Sequence, residues 1–168
     1  MLWRRARHRH PHRKGLGLGL FLAVAVLTGC GGGDETTTYP PGVSRPIGKF
    51  EFLQEADRIC ESTNARVQAA GDELVQGRHD PPPSEVRRIV LNIAIPALQT
   101  EVEAIGSLGA PPGDERQVQR ILDATREGIA QLRANPQSAL TGVPPGLRRA
   151  GRLSRAYGST TCDARDAG

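Results

Sequence analysis

From Phe50 onward, apolar residues recur at spacings of three and four, and each such run stops at a cluster of glycine and proline. No segment alternates with period two over a useful length, so the pattern predicts helices and no sheet. The first seam is Leu53, Ala56, Cys60, Thr63, Val67, Ala70 and Leu74, ended by Gly77 and Pro81-Pro82-Pro83, or earlier by Gly71. Ser84 is placed to cap a second helix, whose first turns carry Val86, Ile89, Val90 and Ile93. Its later turns carry Leu91, Ile95, Leu98, Val102 and Ile105, and Pro96 should kink it.

Gly109, Pro111, Pro112 and Gly113 make the next turn. Asp114 with Gln117 reads as a capping box for a third helix along Val118, Leu122, Thr125, Ile129 and Leu132. Asn135-Pro136 reads as a cap and first position of a short extra turn. A last helix is expected over Pro145 to Tyr157, with Leu147, Ala150, Leu153 and Tyr157 on one face and Gly158 as its C-cap. Four helices joined by short Pro/Gly turns predict an all-α domain over residues 49–168, arranged as an up-down-up-down bundle.

The amino-terminal part obeys different rules. The whole chain carries 22 basic and 18 acidic residues, which read naively suggests a nucleic-acid partner. Six of the basic residues precede position 30 and no acid does, so 16 basic groups face 18 acids from Cys30 onward. The basic character therefore belongs to the first segment, and with 4% aromatic residues there is no stacking platform for bases. No nucleic-acid partner is expected.

Residues 16–27 form an uncharged apolar run behind the cationic stretch Met1–Lys14. About 12 residues suits an export signal, whereas a permanent span needs roughly 20. Leu27-Thr28-Gly29-Cys30 follows, and this resembles the lipobox of bacterial lipoproteins. The resemblance implies that residues 1–29 are a signal peptide, that cleavage follows Gly29, and that Cys30 receives a diacylglyceryl group. Two or more acyl chains anchor stably where one is marginal, so the chain is expected at the extracytoplasmic face of the cell membrane. Residues 30–48, rich in Gly, Thr and Pro, read as a disordered tether with roughly 25 Å of reach. Asp57 to Asn64, D-R-I-C-E-S-T-N, and the distal S-T-T-C at 159–162 look like uncharacterised small helical lipoproteins of high-GC bacteria. That resemblance supplies no activity.

With Cys30 committed to lipid, Cys60 and Cys162 remain, and an oxidising compartment favours their pairing. Cys60 falls early in the first helix and Cys162 just past the last, the same pole of an up-down-up-down bundle. The alternatives are a buried thiol at Cys60 and a reactive one at Cys162. A bridge closing a loop of about 100 residues stabilises by roughly 4–5 kcal/mol on the chain-entropy model.

Little else carries chemistry. His8, His10 and His12 lie in the signal, and a lone His79 in a turn makes no zinc or haem site, so no metal and no cofactor is expected. Glu51, Glu55, Asp57, Glu101 and Glu103 could pair as acid and base, but their expected positions are exposed helix faces among Arg58 and Arg66. Arg148, Arg152 and Arg155 form a stripe that complements the last helix's C-terminal dipole or faces anionic headgroups. The expectation is a non-enzymatic module binding a protein, an envelope polymer or a small ligand. The alternative is a carboxylate-dependent hydrolase or transferase at the membrane surface, with no catalytic residue assignable.

Overall fold

The computed structural model describes residues 45–75 and 80–162. These are all-helical, with no strand among the described residues. Four helices follow one another in the chain: Lys49–Val75, Pro83–Ser107, Glu115–Ala134 and Pro145–Tyr157. A short 3-10 turn, Pro136–Leu140, sits between the last two, with Pro136 at its first position as expected.

Helix 1 buries Phe52, Ala56, Cys60, Thr63, Ala70 and Leu74. The seam is displaced at its start: Phe52 rather than Leu53 is the deeper residue, because its ring meets the Tyr157 ring edge to face at 6.0 Å. Gly71 does not end the helix, which continues to Val75. Ahead of it, Ile47 at the end of the expected tether packs against the core, and Arg45 pairs with Glu51 at 2.9 Å.

The second helix starts two residues earlier than Ser84 as a cap predicts. Pro82 occupies the cap and Pro83 the first turn, so Ser84 lies inside the helix and makes no cap bond. Proline suits that place because the first-turn N–H groups have no intrahelical acceptor anyway. The kink expected at Pro96 takes the form of a π-helical turn, Val90–Ala94, just before it. Pro96 donates no hydrogen bond and its ring crowds the carbonyl one turn back, and widening that turn by a residue relieves both. Ile95 N accordingly donates five residues back, to Val90 O. By length and composition this helix could cross a bilayer, but half of its most apolar window is buried in the domain. It is the core helix, contributing Val86, Ile89, Val90, Ile95, Leu98, Val102 and Ile105. Leu91 and Ile93 are only half-buried, on the outer side of the π turn.

Helix 3 buries every residue of its expected seam, and Ala124 and Gly128 as well. Those two small residues receive helix 4. A Cβ on Gly128 would stand 2.7 Å from the Leu147 backbone nitrogen, and one on Gly146 would collide with the backbone of Gly128. The two backbones therefore cross in direct contact, and this is the tightest helix pair among the described residues. Helix 4 ends as its sequence predicts: Gly158 turns left-handed at φ +113°, and Ser159 N reaches back to Ser154 O at 3.0 Å.

Helices pack in chain order, first on second, second on third, third on fourth. The backbones of helices 1 and 4 do not approach one another. The segment 158–162 spans the gap between them and closes the core.

Candidate functional site

That closing segment is held by one carboxylate and one disulfide. Cys60 and Cys162 are joined, with Cα atoms 5.2 Å apart, so neither the buried free thiol nor the reactive thiol is present. Asp57, three residues before Cys60, accepts from Ser159 Oγ at 2.5 Å, Thr160 Oγ1 at 2.8 Å, Thr160 N at 3.0 Å and Thr161 N at 3.1 Å. Asn64 Nδ2 adds a bond to Thr161 O at 3.3 Å, two turns beyond Asp57 along helix 1. Burial pushes the Asp57 carboxyl up, but the hydrogen bonds from Ser159, Thr160 and Thr161 outweigh it and hold the group below the usual carboxylate range. Asp57 is thus a structural anion cradled by hydroxyls and backbone amides, not the solvated surface acid expected from its neighbours.

A second cluster ties three helix ends together. Tyr157 Oη donates to Asp114 Oδ2 at 2.8 Å, Lys49 Nζ lies 3.8 Å from the same oxygen, and the ammonium sits 4.2 Å above the tyrosine ring. The capping box expected at Asp114 does not form, since this carboxylate points to Tyr157 rather than to the amides of its own helix. Burial, then the Asp114 bond and charge, push the Tyr157 phenol well above its ordinary value. Glu115, one position on, takes Gly113 N at 3.0 Å instead.

The remaining acids separate into two kinds. Glu51 and Glu55 pair with Arg45 and Arg58 at the surface, and Glu103 is exposed. Glu101 departs from expectation: it is 2% exposed, on the apolar face of helix 2 between Leu98 and Ile105. Its spacing from those residues was the signal that it faces inward. Among the arginines of helix 4, Arg152 and Arg155 are exposed and Arg149 pairs with Glu127. Arg148 leaves the stripe, folding back so that Nη1 donates to Val143 O at 2.6 Å.

Two cavities stand out. One is an apolar void of about 30 Å³ under the closing segment, touching Phe52, Ala56, Leu122, Tyr157 and Cys162, room for little more than a water. The other is an open groove of about 430 Å³ where helix 3 gives way to the 3-10 turn and helix 4 begins. Gln131, Asn135, Ser138, Thr141, Val143 and Arg148 are among its walls, and no carboxylate lines either cavity. No cluster of three metal-ligating side chains occurs among the described residues.

Leu27, Thr28, Gly29, Cys30 and His79 lie outside the described residues. No protein-family model matches the chain, and no curated protein or solved structure matches it either.

Proposed function

We propose that this chain is an exported lipoprotein, anchored through Cys30, whose helical domain is a non-enzymatic binding or accessory module at the extracytoplasmic face of the membrane. The observation that carries the reading is the apolar run 16–27 leading into Leu27-Thr28-Gly29-Cys30. The fate of the other cysteines supports it, because a buried disulfide spanning 102 positions suits a chain that matures in an oxidising compartment.

The domain is read as an up-down-up-down bundle. Convergence of Lys49, Asp114 and Tyr157 supports this, since it gathers the start of helix 1, the start of helix 3 and the end of helix 4 at one pole. The opposite pole agrees: Arg88 reaches Glu73 at 3.9 Å, and Gln137 Nε2 donates to Pro83 O at 2.8 Å. The binding role draws on the open groove beside Arg148, which lies at that second pole, away from the closing segment.

Metabolic labelling with an alkyne fatty acid in a bacterial host tests the anchor. The wild-type chain should be labelled and sediment with membranes, and Cys30→Ala should lose both while still forming the Cys60–Cys162 bridge. Continued labelling of Cys30→Ala would overturn the proposal.

A further inference from the structure

The groove between helices 3 and 4 has the build of a ligand site. Its volume of about 430 Å³ falls within the range of small-molecule pockets, about 300–1,000 Å³. Its walls are pinned rather than loose. Gln137 holds the 3-10 turn to Pro83 O, and Gln131 Oε1 takes the Gly146 amide at 2.9 Å. Ser138 and Thr141 close local turns onto Asn135 O and Ser138 O, while Pro136, Pro144 and Pro145 stiffen the chain between them.

Arg148 is the one ionised side chain in the lining, and it is half-buried. Val143 O fixes one edge of its guanidinium at 2.6 Å, so the planar fork is oriented before any ligand arrives. An arginine fork matches two oxygens of a carboxylate or phosphate, and pre-orientation lowers the entropy lost on binding. Complementing the C-terminal helix dipole does not account for the placement of this arginine, because it sits in the first turn of helix 4 rather than the last.

We infer that this groove binds a small molecule or chain end through a carboxylate or phosphate group held by Arg148. The inference rests on reading the domain as a binding module, and it does not depend on whether Cys30 is acylated. The test uses the intact disulfide-bonded protein in detergent, isotope-labelled for nuclear magnetic resonance, titrated separately with acetate and with inorganic phosphate. Chloride at equal ionic strength is the control. The expected result is a saturable shift of the Arg148 Nε–H and of the Gly142 and Val143 amides, with acetate, phosphate or both; which probe acts identifies the group recognised. Arg148→Lys keeps the charge and loses the fork, so it should bind about tenfold more weakly, roughly 1.4 kcal/mol. Shifts no larger than those with chloride, shifts shared equally by all arginines, or undiminished binding by Arg148→Lys would each overturn the inference. Failure of the lipid anchor would leave these shifts unchanged, so the two readings fail separately.

Discussion

Asp57 on helix 1 accepts a hydrogen bond from Ser159, 102 positions later, and does so one helical turn before a cysteine bonded to Cys162. Helices 1 and 4, whose backbones do not approach one another, are joined through this pair. Replacing Asp57 by Asn leaves one acceptor oxygen for several donors and should cost about 1–2 kcal/mol, lowering the melting temperature by about 4 °C per kcal/mol. The carboxyl is held below its ordinary value, so its contribution is full above about pH 4 and is lost as pH falls through the lowered value. Melting curves of wild type and Asp57→Asn should therefore differ at neutral pH and converge in acid. A constant gap across that range would contradict the role given to the charge.

Removing the disulfide should be the costliest single change. The bridge closes a loop of about 100 residues, worth roughly 4–5 kcal/mol on the chain-entropy model. Cys60→Ala with Cys162→Ala should accordingly unfold at much lower denaturant. Because Cys60 is 1% and Cys162 6% exposed, a thiol reductant reaches them only after the segment 158–162 opens. Reduction should then be slow in native buffer and fast in mild denaturant. Equal rates would mean that the segment is not closed in solution.

Two glycines in helices should respond oppositely to alanine. Gly71 lies in helix 1 with open space where a Cβ would stand, so Gly71→Ala should stabilise by about 0.5–1 kcal/mol. A Cβ on Gly128 would meet Leu147 at collision distance, so Gly128→Ala should destabilise by about 1–3 kcal/mol despite the better helix former. Chemical denaturation of both variants decides this, and a stabilised Gly128→Ala would remove the backbone crossing from the account.

Tyr157 sets an alkaline limit. Its phenol is raised by burial and by Asp114, so that contribution is present below about pH 10 and fades as pH rises through the raised value. The chain has two tyrosines, Tyr39 and Tyr157. In a Tyr39→Phe background, phenolate absorbance should appear well above pH 10, and Asp114→Asn should bring it down. A midpoint at the ordinary tyrosine value would show that Tyr157 is neither buried nor bonded to Asp114.

The helices were legible because burial of one face imposes a 3.6-residue period that survives any tertiary detail, and Gly158 could be read because a left-handed end selects glycine. Interactions decided by distant partners were not legible. Asp114 has the local signature of a cap, yet Tyr157 competes for its carboxylate from 43 positions away. Ser84 likewise has cap chemistry, but three consecutive prolines start the helix two residues earlier. Glu101 carries its inward-facing signal in the three- and four-residue spacing to Leu98 and Ile105, which its charge masks. Asp57 was readable only jointly: once Cys60 is paired with Cys162, the residue a turn before Cys60 faces the hydroxyls of Ser159 and Thr160 and the amides of Thr160 and Thr161. Arg148 could not be separated from Arg152 and Arg155, since its turn toward Val143 depends on how the preceding loop folds.

In the proposed arrangement, Cys30 anchors the chain while the Cys60–Cys162 bridge locks its domain. The most direct measurement is the intact mass of the protein extracted from bacterial membranes, before and after reduction. The expected species begins at Cys30, carries at least a diacylglyceryl group, and gains two hydrogens on reduction. A chain retaining Met1, or a Cys30 terminus without acyl mass, would contradict it.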